Sequence, residues 1–206
     1  MSRITLIFGI ALLALMAGAL FYAAKLPVAN QQQEVPTSTA SEAAAPALQV
    51  VSYPEFTLPD ILGRERDFSE WHGKHRLINF WATWCAPCRR EIPLLKTFQD
   101  EHAEHGFQVL GIAVDYPDEV SAYAETAEFN YPVLVGQEDA MNVAESSGIE
   151  FIGMPFTMIV AADGEYLSAY IGELHQPQLD SMVAVLTRLD GGEIDKDGAR
   201  AALDQL

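Results

Sequence analysis

Cys85 and Cys88 are the two thiols of this chain, separated only by Ala86 and Pro87. At the start of a helix, such a pair has both sulfurs on one face of the first turn and its Cα atoms within disulfide reach. It can then make and break a single S–S bond. The helix N-terminus adds a second effect: its free N–H groups and dipole favour thiolate over thiol, which lowers the pKa of Cys85 and makes its sulfur nucleophilic. Pro87 suits this first turn, where a missing N–H costs nothing. The chemistry expected of the pair is thiol–disulfide exchange.

Other uses of two cysteines are a structural crosslink and a metal site. A crosslink closing so short a loop removes little unfolded-state entropy. Zinc needs four ligands, and with no third cysteine the remainder would have to be His102 and His105. Their spacing departs from the usual two-histidine half-site, and Glu101 and Glu104 mark that stretch as a solvated helix face. Soft thiolates also suit Cu(I), with Met154 or a histidine assisting, so a copper-binding protein stands as a second class of function beside the redox enzyme.

A strand must deliver the cysteines and a helix must hold them. Residues 76–82 are nearly continuous apolar sequence, suited to a sheet centre. Residues 85–105 follow as a helix with Leu94, Leu95 and Phe98 available for a buried face, Pro93 as an expected kink and Gly106 as its end. Residues 107–114 read as the next buried strand, giving a right-handed βαβ unit. Upstream, residues 54–58 and 66–68 flank Gly63 as a short strand pair. Downstream, helices are expected at residues 118–129, 139–147 and 177–189 and a short strand at 132–135. Strands at 156–161 and 165–171 are joined by Asp163-Gly164, a hairpin signal that makes the sheet mixed. Residues 191–206 read as a solvated tail with a short helical pattern. Asp195 and Asp197 there resemble a fragment of a calcium loop without its remaining ligands.

With 206 residues, half of them hydrophobic, the chain has room for one domain of about 150 residues and an extra segment. The extra segment is at the front. Residues 4–24 are uncharged between Arg3 and Lys25, and at about 1.5 Å per residue a helix of this length spans a bilayer core of about 30 Å. Residues 1–25 therefore read as a signal anchor, or as a signal peptide cleaved near Ala17-Gly18-Ala19. The positive leading segment predicts export of everything after it, into a compartment where disulfides persist. Residues 26–49, rich in Ala, Gln, Ser, Thr and Pro, cannot bury enough surface to fold and read as a flexible linker. Arg3 and Lys25 cancel Glu34 and Glu42, so the formal net charge of −17 belongs to the domain beyond. Such acidity argues against a nucleic-acid partner and for solubility.

These features together resemble the TlpA/ResA branch of the thioredoxin superfamily, the membrane-anchored thiol:disulfide oxidoreductases of the bacterial envelope. The resemblance rests on Phe56-Thr57-Leu58, Gly73-Lys74, Asn79-Phe80-Trp81-Ala82-Thr83-Trp84-Cys85-Ala86-Pro87-Cys88-Arg89, Glu91 with Pro93, Val109-Leu110-Gly111-Ile112 and Gly153-Met154-Pro155. It implies an α/β, thioredoxin-like, three-layer fold over residues 50–190, with a mixed central sheet, an N-terminal strand pair and a helix–strand insertion over 118–135. It further implies that Cys85 attacks, that Cys88 resolves, and that Glu91 takes or returns the Cys88 proton. Asn79 stands where plain thioredoxin has an aspartate. The Met154–Pro155 bond is expected to be cis, exposing backbone for pairing with an extended substrate, and Trp84 to border the site. Trp81 is divided between that surface and core packing. Against these stand an exposed Glu91 paired with Arg89 or Arg90, and an Arg89 that is solvated rather than stabilising the Cys85 thiolate. His72, His75 and His175 receive no role.

The function implied is reduction of disulfides in exported proteins, of the cytochrome c maturation or copper-centre assembly type, without a cofactor. Electrons would come from a membrane thiol-reductase donor. The same fold acting as an oxidant is the alternative in the opposite direction. A peroxidase related by fold lacks its Thr-X-X-Cys motif here.

Overall fold

A computed structural model of the chain describes residues 53, 55–146 and 153–206, all within a compact unit spanning Leu48–Leu206. The expected anchor and linker lie outside the described residues. Among those that are described, no helix is long and apolar enough to cross a membrane.

A five-stranded sheet organises the domain. Strands β3 (His75–Trp81), β4 (Phe107–Val114), β5 (Val133–Gly136), β6 (Phe156–Val160) and β7 (Tyr166–Ile171) lie in the order β5-β4-β3-β6-β7. Strand β3 is central and buried at every position, its polar His75, Arg76 and Asn79 included, as the middle of a sheet covered on both faces requires. It pairs in parallel with β4, Trp81 facing Ala113, and antiparallel with β6, Phe80 facing Phe156. The β6–β7 hairpin turns at Asp163-Gly164, making the sheet mixed as expected. A separate antiparallel pair, β1 (Thr57–Pro59) and β2 (Glu65–Asp67), precedes the sheet and touches it through a bridge between Asp60 and Leu134.

Helix α1 (Ala86–His102) buries Cys88, Glu91, Ile92, Leu95, Phe98 and Gln99, the three- and four-residue spacing of one helical face. It runs unbroken through Pro93 and ends in a short 3₁₀ turn, Ala103–His105. Gly106 then reverses the chain at φ 84°, a conformation in which a Cβ would be strained. Helix α2 (Pro117–Ala127) and helix α3 (Glu138–Glu145) flank β5, and α4 (Gln176–Asp190) follows β7. Apolar side chains from α1 and α4 meet Leu77, Trp81, Val109 and Ala113 on one face of the sheet. Ile78, Phe80, Leu110 and Ile112 on the other face meet α3 and the β1–β2 region. Three layers result, as the fold expectation required.

The C-terminal stretch departs from its reading as a solvated tail. It forms helix α5 (Lys196–Leu203), whose Ala199 and Leu203 are buried in the main core. Lys196 pairs with Asp163 and Glu165, Arg200 pairs with Glu165, and Ser168 donates to Asp204 at 2.6 Å, fastening the helix to β7. Asp195 is the N-cap of α5, its side chain accepting from the Gly198 N–H at 2.8 Å, while Asp197 pairs with Arg200. Both aspartates thus serve the helix rather than a calcium loop.

Candidate active site

The site is assembled where β3 becomes α1. After Trp81 the chain turns, the Cys85 N–H donating to the Ala82 carbonyl at 3.1 Å. Cys85 becomes the N-cap of α1 and Pro87 lies in the first turn. Cys85 and Cys88 are joined in a disulfide with a Cα–Cα distance of 5.3 Å. The Cys88 N–H donates to Cys85 Sγ at 3.3 Å, so the sulfur occupies the position of an N-cap acceptor and receives a free helix N–H. That arrangement favours a thiolate once the bond is reduced. Both cysteines are buried, Cys85 keeping 6% of its surface exposed and Cys88 none, so of the two only Cys85 has any surface open to solvent.

Glu91 lies one turn further along α1 and is 1% exposed. Its Oε1 accepts from Asn79 Nδ2 at 2.8 Å and its Oε2 from the Leu174 backbone N–H at 2.6 Å. Asn79 Nδ2 also donates to Thr157 Oγ1 at 3.0 Å, which orients the amide toward the carboxylate. Burial raises the Glu91 pKa to about 7, against the lowering effect of its two hydrogen bonds. The alternative of an exposed Glu91 paired with a neighbouring arginine is excluded by this geometry: Arg90 instead binds Glu173, Nε to Oε1 3.0 Å, and Arg89 is exposed. Tyr131 is buried nearby, its hydroxyl pushed upward in pKa first by burial and then by Glu91.

Trp81 belongs to the core, its ring centroid 5.5 Å from that of Tyr123 and 5.4 Å from that of Phe129. Gly111 makes room for it, since a Cβ there would come within 3.2 Å of Trp81 Nε1 and 3.3 Å of Tyr131. Trp84, by contrast, is 69% exposed immediately before Cys85. The Met154–Pro155 bond is cis. Pro155 precedes β6, whose Phe156 faces Phe80, so this bond lies at the same end of the sheet as the cysteines. Met154 is half-buried and packs against the core that contains both cysteines.

Neither Asn79 nor Thr157 was assigned a part in holding the carboxylate by sequence reasoning, and the Leu174 N–H carries no sequence signal at all. Asp115 was missed as well. Its Oδ2 accepts from the Thr83 N–H at 2.9 Å and from Thr83 Oγ1 at 2.6 Å, tying down the loop that leads to Cys85. An aspartate directly after the apolar β4 run is the one signal that pointed there. His102, considered as a metal ligand, packs its ring against Phe98 and Phe107, and His105 Nδ1 lies 3.1 Å from the Glu101 carbonyl. Among the described residues no group of three or more His, Cys, Asp or Glu side chains is arranged to hold a metal ion.

A cysteine pair of which Cys85 alone keeps some exposed surface, and a buried carboxylate able to gain or lose a proton near neutrality, are parts suited to two-electron exchange with another disulfide. The chain is similar to known proteins over most of the described domain. The model of the AhpC/TSA family matches residues 51–166, more than half of the sequence. A thiol-disulfide oxidoreductase, ResA, of Geobacillus kaustophilus is 28% identical over 128 residues, covering 62% of this chain and 71% of that protein. The thioredoxin-like protein YneN of Bacillus subtilis is 26% identical over 133 residues, covering 62% and 74%. Among solved structures, a thiol:disulfide interchange protein of the thioredoxin family from Chlorobium tepidum matches with a TM-score of 0.61 and 27% identity, over 68% of this chain and 98% of that one.

Proposed function

We propose that this chain, which belongs to the AhpC/TSA family, is a thiol:disulfide oxidoreductase that reduces disulfides in exported proteins. The observation that carries the reading is the Cys85–Cys88 disulfide at the N-terminus of α1, with Cys88 fully enclosed, Cys85 keeping a little exposed surface and the buried Glu91 one turn further along the helix. In the reduced protein the Cys85 thiolate attacks one sulfur of a substrate disulfide. The substrate S–S bond breaks, one substrate thiolate leaves, and a mixed disulfide joins Cys85 to the other. Cys88 then gives its proton to Glu91 and attacks Cys85 Sγ, expelling the second substrate thiolate. Two electrons have passed to the substrate and the Cys85–Cys88 disulfide has formed. The cis Met154–Pro155 segment, at the same end of the sheet, offers backbone to an extended substrate, and Trp84 borders it.

The N-terminal run after Arg3 supports an anchored location on the periplasmic side of the inner membrane, with a cleaved soluble form as the alternative. A reductant in that compartment needs a thiol-reductase donor in the membrane to reduce the Cys85–Cys88 disulfide after each turnover. The direction of electron flow is tested by the reduction potential of the pair, equilibrated in dithiothreitol buffers and read by tryptophan fluorescence. A value near about −270 mV supports a reductant, whereas one near about −120 mV makes the protein an oxidant.

A further inference from the structure

Asp115 directly follows the parallel strand beside the cysteine strand, and its carboxylate holds two loops at once. Oδ2 takes both donors of Thr83, the residue before Trp84, while Oδ1 accepts from the Tyr116 N–H at 2.8 Å. The Asp115 N–H donates in turn to the Gly136 carbonyl at 3.0 Å, which ties the junction to β5. With an exposure of 5%, this carboxylate is a fixed internal strut rather than a surface charge. It sets the position of Trp84, which follows Thr83, and of Tyr116, whose own N–H it holds.

Those positions carry large exposed aromatic rings. Trp84 is 69% and Tyr116 is 63% exposed. Tryptophan is mostly buried in folded proteins, so its exposure beside Cys85 calls for an explanation. Tyr116 is the N-cap of α2, a place where Ser, Thr, Asp or Asn satisfies a free N–H, and it makes no side-chain cap hydrogen bond. The ring therefore serves neither the core nor the helix end. Both rings stand beyond the ends of β3 and β4, at the end of the sheet that holds the disulfide.

We infer that Tyr116 is a specificity-determining residue that works with Trp84, and that Asp115 positions the pair. The occupant is an extended substrate segment with a bulky apolar side chain next to its reactive cysteine. Continuity of this surface with Cys85 places that side chain against the rings while the sulfurs react. The net charge of −17 on the domain disfavours an acidic segment. This inference rests on the oxidoreductase reading above.

The test uses the full chain, reduced with dithiothreitol and freed of it, in single-turnover reactions with three disulfides. Two are disulfide-linked dimers of short peptides with leucine or glycine before the cysteine, and the third is hydroxyethyl disulfide. The wild type is expected to favour the leucine peptide by about tenfold in the second-order rate constant of the single turnover, as burial of an aliphatic side chain provides. Tyr116→Ser brings that ratio to about two or less, and Tyr116→Phe keeps it, since the ring rather than the hydroxyl makes the contact. Asp115→Asn also lowers the ratio, because an amide cannot accept from Thr83 and Tyr116 on both sides. A ratio unchanged in Tyr116→Ser, or no leucine preference in the wild type, overturns the inference while leaving the oxidoreductase reading intact. Failure of the wild type to reduce any of the three, hydroxyethyl disulfide included, overturns that reading and this inference with it.

Discussion

Glu91 Oε1 accepts a hydrogen bond from Asn79 Nδ2 at 2.8 Å, joining the helix that carries the cysteines to the strand that delivers them. The contact joins two fully buried side chains on the α1 face of the sheet. It keeps the carboxylate close to a protonation midpoint instead of permanently neutral, because the amide donor offsets part of the cost of burial.

The proton exchange of Glu91 sets a pH dependence. With the pKa raised to about 7, the carboxylate is available as a base above that pH and is lost as pH falls below it. Release of a mixed disulfide by Cys88 should therefore slow by about tenfold per unit below pH 7. In Glu91→Gln this dependence should disappear and the rate above pH 7 should fall by about 10²-fold or more. Stopped-flow release of a fluorescent thiol from the mixed disulfide reads both; an unchanged pH profile in the variant would remove Glu91 from the mechanism.

The same shift appears in stability. Glu91 binds its proton more tightly folded than unfolded, so its contribution is fully present below its unfolded pKa of about 4.5 and is lost as pH rises through about 7. Denaturation of the oxidised wild type should show a decline of on the order of 2 to 3 kcal/mol across that window, relative to Glu91→Gln. Parallel urea curves at pH 5 and pH 8 for the two proteins make the comparison.

Asn79→Leu removes a donor that favours the carboxylate. A hydrogen bond to a charged group is worth about 1.5 to 3 kcal/mol, so the midpoint assigned to Glu91 should move upward by about 1 to 2 units. A pH profile of mixed-disulfide release centred at its original position would show that the 2.8 Å contact carries little energy.

The two cysteines should separate by role. Cys85→Ser should abolish exchange, because Cys88 is enclosed and cannot meet a substrate sulfur. Cys88→Ser should retain the first attack and accumulate a mixed disulfide through Cys85, visible by non-reducing electrophoresis and mass spectrometry. Accumulation through Cys88 in the reverse variant would invert the assignment.

Helix α5 should be part of the folding unit. Leu203 is buried among core side chains, so Leu203→Ala should cost about 2 to 5 kcal/mol in global stability. A change below about 0.5 kcal/mol in a urea titration would return this segment to the status of an appended tail.

Adjacent residues carry enough information to specify some of this protein. A cysteine that caps a helix, a proline in the first turn and a second cysteine one turn on all act within a few residues, so the redox pair and its place after an apolar strand are legible in the sequence. Strand β4 is likewise legible, since a run that is apolar but for Gln108, bounded by Gly106 and Asp115, suits a strand in a covered sheet. The amphipathic pattern around α5 was short and polar, and its burial depends on β7 and on pairing of Lys196 and Arg200 with Glu165, contacts distant in sequence. Glu91 shows the same division. Its position on the face of the cysteines follows from helical spacing, but its burial, its bonds to Asn79 and to the Leu174 N–H, and hence its raised pKa, arise only when the strand, α1 and the loop after β7 are packed together. Desolvation is a property of everything surrounding a group, and that surrounding is assembled only by the tertiary fold.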